Sequence, residues 1–153
     1  MALTISSPAF KEGETIPKQF TCEGADTSPA LTWTDVPSGT EAFVMIMDDP
    51  DAPVGTWDHW ILFNIPAAKT ELAAGLAKEA TLPDGSKSGL NSWKKHGYGG
   101  PCPPPGGPHR YFFKLYALDK KLDLPPTSTK VQVEAAMKGH TLGEAKLMGT
   151  YSR

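Results

Sequence analysis

The chain has 153 residues, with 15 Lys and Arg against 17 Asp and Glu, so its net charge is only −2. A chain of this length buries about 70% of its unfolded surface, enough for one core without help from a metal or disulfide. The near-neutral balance, with no basic cluster beyond the Lys94, Lys95 pair, excludes general nucleic-acid binding.

Leu3 to Ser7 suits a short edge strand ended by Pro8, and Lys11 to Gly13 a turn leading into Thr15 to Thr21. Leu31 to Thr34 is a second short run, closed by the turn residues Val36 to Gly39. Phe43 to Met47 is continuously apolar, the pattern of a strand buried on both faces. Trp57 to Ile65 is the next strand, and a period of two puts Trp57, His59, Ile61, Phe63 and Ile65 on one face and Trp60 on the other. Lys69 to Lys78 is alanine-rich but interrupted by Gly75, which allows at most a turn or two of helix. Leu82 to His96 reads as a long loop.

The stretch Gly97 to Pro108, GYGGPCPPPGGP, holds five glycines and five prolines, so neither helix nor central strand forms there. Directly after it, HRYFFKLYAL has the aromatic and aliphatic content of a half-buried strand. Alternation sets His109, Tyr111, Phe113 and Leu115 on one face and Arg110, Phe112, Lys114 and Tyr116 on the other. Beyond Pro125 and Pro126, Thr129 and Gln132 match a capping box for a helix running to Gly139, with Val131 and Ala135 or Ala136 turned inward. Glu144 to Leu147 is compatible with a last helical turn, and Gly149 to Arg153 with a terminal strand or tail. Short strands separated by turns predict a mainly β chain, a two-sheet antiparallel sandwich or open barrel with few short helices, in one domain, 1–153.

Three strand ends offer polar groups in apolar settings: Asp49 with Asp51 after the most hydrophobic strand, His59 within the next, and His109 with Tyr111 beside the Gly/Pro loop. An apolar pocket with a few convergent polar groups is the usual form of a small-molecule site. Burying Asp48 or Asp49 costs several kcal/mol unless charge or hydrogen bonds compensate, which puts these acids at the mouth of the strand. Cys22 and Cys102, 80 positions apart, lie in no zinc or dithiol motif. Both flank turns and so can approach one another, but the start MALTISSPAF has no basic segment followed by an apolar one, and a cytoplasmic location, where thiols stay reduced, is expected. The longest apolar run, Ala42 to Met47, is too short for a membrane-spanning helix.

Two segments carry a family resemblance. DPDAPxxxWxHW, Asp49 to Trp60, and GxGGPCPPPGGPHRYxFxLYALD, Gly97 to Asp119, resemble the two motif segments of the phosphatidylethanolamine-binding protein family in its bacterial and archaeal Raf-kinase-inhibitor-like branch. SPALTW at Ser28, NIP at Asn64 and GHTLGEAKLMGTY at Gly139 extend the likeness over nearly the whole chain. The resemblance implies a β-sandwich of a larger and a smaller sheet and a small pocket for phosphate-type anions, including phospholipid headgroups. Carried over by position, Asp49, His59, His109 and Tyr111 are the pocket's polar residues, Gly100 and Pro101 its wall, and Asp51 and Trp57 its support.

The expected function is therefore the binding of a small anion, with a regulatory or inhibitory role, no cofactor and no catalysis. Nothing in the chain supplies an evident nucleophile. The alternative is a metal-dependent phosphoester hydrolase using Asp49, Asp51, His59 and His109 as ligands. The partner is a small anion, with any protein partner unspecified and the oligomeric state open between monomer and homodimer. Histidines of ordinary pKa, near 6.5, would make such binding tighten as pH falls from about 8 to 6.

Overall fold

A computed structural model describes residues 2–153. Two antiparallel sheets face each other. The smaller holds β1 (Thr4–Ser6), β2 (Leu31–Thr34) and β5 (Glu71–Leu72), in the order β1-β2-β5. The larger holds β3 (Ala42–Asp49), β4 (Trp57–Pro66), β6 (Lys87–Ser88), β7 (His109–Leu118) and β8 (Thr141–Tyr151), in the order β6-β4-β3-β7-β8. The mainly β, two-sheet expectation holds. One helix, α1 (Lys130–Met137), lies against the outer face of the larger sheet.

β3 is central, and its eight residues are all buried. Phe43, Met45 and Met47 enter the core between the sheets, where they meet Leu31 and Trp33 of β2. Val44 and Ile46 face the other way, into a second cluster sealed by Val133 and Met137 of α1. A strand covered on both sides has no polar face, which is why its sequence is uninterrupted. β7 alternates as its composition predicts: Tyr111, Phe113 and Leu115 are buried, whereas Phe112, Lys114 and Tyr116 are half-buried.

Several local expectations are corrected. The period of two fails in β4 because two bulges interrupt its pairing with β3. Met47 opposes Trp60 and the next residue, Asp48, opposes Asp58, so His59 is the extra residue. Trp57 and Trp60 are consequently not on opposite faces: Trp57 meets Trp93 beside His59, and Trp60 packs on Tyr98 in the core between the sheets. At the second bulge Asn64 adopts φ 57°, which shifts Ile65 into that same core while Phe63 stays in the cluster under α1. Asn64 tolerates the left-handed region and fixes it, its side chain exchanging two 2.8 Å bonds with the backbone of Leu122.

The 69–78 segment contributes the strand β5, not a helical turn, and the 82–96 loop contributes β6. The 144–147 segment is not helical either. It lies in β8, which pairs with β7 from His109↔Tyr151 to Leu118↔Thr141, and a full-length ladder overrides the local helix preference of Glu, Ala, Lys and Leu. α1 starts at the expected cap, with the Thr129 amide donating to Gln132 Oε1 at 2.9 Å. Its inward residues are Val133, Ala136 and Met137, at the i, i+3, i+4 spacing of one helical stripe, while Val131 is 73% exposed. Cys22 and Cys102 form a disulfide with their Cα atoms 5.4 Å apart, so neither is the free thiol expected of a cytoplasmic chain.

Candidate functional site

Asp48 and Asp49 end β3, and successive residues of a strand point to opposite faces. Each acid thus meets different partners. Asp48, 1% exposed, accepts from Lys114 at 3.0 Å and Lys130 at 3.1 Å on the outer side. Asp49, 3% exposed, turns to the inner side, where its Oδ2 accepts the Nδ1 proton of His109 at 2.7 Å. Its Oδ1 accepts the Asp51 amide at 2.7 Å. Both carboxylate oxygens are committed, and the ring of His109 is oriented with Nε2 as its remaining polar atom.

His59, the bulge residue of β4, is held by a reciprocal pair of bonds. Its Nδ1 donates to Gly99 O at 2.7 Å, and the Gly99 amide donates to His59 O at 3.0 Å. Burial pushes the His59 pKa below 6.5, opposed by Gly99 O and by the charge on Asp49. The ring is therefore neutral around pH 7, unlike the ordinary, titrating histidine that the sequence suggests. It stands edge-on between Trp93 and Tyr111, at 5.0 and 5.3 Å. Tyr111 stacks on His109 at 6.4 Å, and its buried hydroxyl has no hydrogen-bond partner. Burial, reinforced by Asp49, raises the Tyr111 pKa and keeps the phenol protonated.

Asp51 supports from the rim. Its Oδ2 accepts both the amide and Nε of Arg110 at 2.9 Å, and its Oδ1 accepts Nη2 at 2.9 Å. That fork of charge-assisted bonds lowers the Asp51 pKa to about 2. The 50–56 turn is thereby tied to the start of β7.

These groups surround a cavity of about 300 Å3 lined by Asp49, His59 and His109 on its polar side and by Val54, Trp57 and Trp93 on its apolar side. Cys102, Pro103 and Pro104 complete the wall. The structure thus brings Asp49, Trp57, His59 and His109 to one cavity, with Tyr111 behind the two histidines and Asp51 behind the turn. Gly100 and Pro101 are placed differently from the expected wall. The Gly100 amide is spent on Asp26 Oδ1 at 2.8 Å, and Pro101 O accepts the Cys22 amide at 3.1 Å. A Cβ on Gly100 would run into Phe20 O and Asp26, so glycine is required there by close packing against the 20–26 segment.

Sequence reasoning missed Trp93, Val54 and Asp26. A tryptophan in an otherwise Ser- and Lys-rich loop was the available signal for the first. Asp26, at φ 58° in a turn, had none. The metal-ligand quartet does not assemble: Asp51 is occupied by Arg110 and His59 Nδ1 by Gly99 O. Among the described residues no three His, Cys, Asp or Glu side chains are grouped to hold a metal ion.

Comparison with known proteins agrees with this architecture. A "UPF0098 protein" of Aquifex aeolicus is 48% identical over 153 residues, covering 99% of this chain and 89% of the relative. One from Methanothermobacter thermautotrophicus is 48% identical over 151 residues, 99% of each chain. The crystal structure of YbcL from E. coli, described as a new member of the mammalian PEBP family, superposes with a TM-score of 0.93 at 35% identity, covering 100% of this chain and 99% of that one. The family model described as "Phosphatidylethanolamine-binding protein" matches residues 6–152. The two motif segments, the paired sheets and these likenesses lead to one conclusion: the chain belongs to the phosphatidylethanolamine-binding protein family, among its bacterial and archaeal members.

Proposed function

We propose that this protein binds a small phosphate-type anion, free or as a phosphorylated headgroup, in the cavity between His59 and His109, and that occupancy serves a regulatory or inhibitory role. The Asp49–His109 pair carries the reading. A carboxylate that is 3% exposed, with its second oxygen already satisfied, accepts from Nδ1 of His109, fixes the ring and leaves Nε2 as the ring atom that meets an anion. Family membership supports a phosphorylated ligand, and the apolar side of the cavity supports an organic group attached to it. Asp49 holds a histidine on this reading and does not receive a ligand amine. The disulfide favours an oxidising compartment as the place of action over the cytoplasm expected from the sequence.

Calorimetry with inorganic phosphate and phosphoethanolamine, on wild type, His109→Ala and Asp49→Asn at pH 6 and 8, tests the proposal. Removing one charge-assisted donor is expected to weaken binding about tenfold or more, equivalent to about 1.5–3 kcal/mol. Asp49→Asn is expected to weaken both ligands, because the His109 ring loses the carboxylate that orients it. Tighter binding by Asp49→Asn would mean that the acid only repels the anion. Equal affinities in all three proteins would overturn the assignment, and a preference for phosphoethanolamine over phosphate would identify a headgroup.

A further inference from the structure

A second cavity, of about 310 Å3, shares Trp93 and Cys102 with the first. Trp93 is therefore a partition. Its ring lies against Gly99, edge-on to His59 at 5.0 Å and to Trp57 at 5.6 Å, and it is 39% exposed. The side of the partition away from His109 is lined by Lys78, Lys95 and His96, with Asp26 as its one acid.

The charges there do not cancel. Asp26 gives Oδ1 to the Gly100 amide and Oδ2 to Lys78 at 3.5 Å. The Lys95 ammonium has no ion-pair or hydrogen-bond partner among the described residues; the residue is held through its backbone, whose amide donates to Asn91 Oδ1 at 3.1 Å and whose carbonyl accepts the Asn91 amide at 2.9 Å. His96 donates Nδ1–H to Ser88 O at 2.8 Å, which orients the ring and leaves Nε2 uncommitted. An unpaired ammonium, an oriented imidazole and a loosely paired lysine thus surround a cavity whose remaining wall is formed by Trp93, Tyr98, Gly99, Gly100 and the Cys22–Cys102 bridge. Lysine is a compact point charge with three donors, suited to a phosphoryl group.

We propose that the two cavities form one bipartite site for a ligand carrying two phosphoryl groups joined by a short organic spacer. The first group occupies the His59–His109 cavity, the spacer crosses the exposed edge of Trp93, and the second group is held by Lys95 and His96 with Lys78. This rests on the reading of the first cavity as a phosphoryl site and adds the class of molecule that the site selects. Holding the first group makes capture of the second intramolecular, so the affinity of the whole exceeds that of either part.

The test compares inorganic phosphate with propane-1,3-diyl bisphosphate by calorimetry at fixed ionic strength, on wild type, Lys95→Ala and Lys120→Ala, an exposed lysine that lines neither cavity. Wild type and Lys120→Ala are expected to bind the bisphosphate at least tenfold more tightly than phosphate. Lys95→Ala is expected to lose that advantage while keeping its phosphate affinity, which also shows that the variant is folded. In NMR titrations the bisphosphate, and not phosphate, is expected to shift the His96 ring signals. Phosphate binding with no more than the twofold statistical gain for the bisphosphate would overturn the bipartite site and leave the first reading intact. Equal loss of the advantage in Lys120→Ala would overturn it as a general charge effect. Failure of both probes to bind wild type would overturn the first reading and this one with it.

Discussion

His59 and His109 occupy one cavity but are held by different partners, and this makes them chemically unlike. His109 has a carboxylate on Nδ1, and His59 has a backbone carbonyl there and is buried. Folding favours the neutral form of His59, whose folded pKa lies below the ordinary 6.5. Its contribution to stability is accordingly present above about pH 6.5 and is lost as pH falls through that value toward the folded pKa. The urea midpoint of wild type is expected to decline between pH 7 and 5, and that of His59→Gln, which cannot titrate, to decline less. Parallel profiles for the two proteins would place the acid sensitivity elsewhere. Asp51 contributes in a lower window. Its pKa of about 2, set by Arg110, keeps the rim pairing ionised in the folded protein until the pH approaches 2, and its contribution to stability declines only below about pH 4, so loosening of the 50–56 turn does not accompany the His59 transition.

At the scale of elements, the partition of the site depends on one glycine. The Trp93 ring lies so close to Gly99 that a Cβ would overlap it, while the Gly99 backbone makes both bonds to His59. Gly99→Ala is therefore expected to push Trp93 outward without removing a side-chain bond. A red-shifted tryptophan emission, with at least a threefold loss of phosphate affinity from a displaced His59, would show this; an unchanged spectrum would mean that Trp93 is not seated on Gly99. The motifs made part of this legible in advance. The Gly/Pro stretch had to be a loop, β7 had to be a half-buried strand, and Asp49, His59 and His109 had to lie at strand ends. What the sequence hid was set by pairing between distant segments. The bulge at His59 exists because β4 has one residue more than β3 requires, and nothing near Trp57 marks it. β8 takes its form from ten partners on β7, although its residues Glu144 to Leu147 suit a helical turn. Gly100 was expected as pocket wall, and the contact that requires a glycine there was hidden because Asp26, its partner, lies 74 residues earlier.

Across the whole molecule, that early segment is joined to the rim of the site by four connections. Tyr98 Oη donates to Phe20 O at 2.8 Å, the Gly100 amide donates to Asp26, the Cys22 amide donates to Pro101 O, and Cys22 is bonded to Cys102. The disulfide closes a loop of 80 residues that contains β2 to β6, so it restricts the unfolded chain while fixing the wall formed by Cys102, Pro103 and Pro104. Loop-closure entropy for a separation of that size gives about 4.5 kcal/mol, near the top of the observed range of about 0–5 kcal/mol. The three hydrogen bonds and the core between the sheets do not depend on the bridge, so the reduced protein is expected to remain folded at neutral pH. Cys22 and Cys102 are both exposed, which gives a dithiol reductant access. Unfolding in urea with and without reductant is expected to show a lower midpoint on reduction, by an amount matching that loss of stability. Phosphate affinity is expected to fall several-fold as the 102–108 wall loosens, and Cys22→Ser/Cys102→Ser is expected to reproduce both changes without reductant. A reduced protein of unchanged midpoint would show that the hydrogen bonds alone hold the rim. A lowered midpoint with unchanged phosphate affinity would confine the bridge to stability and separate it from the site.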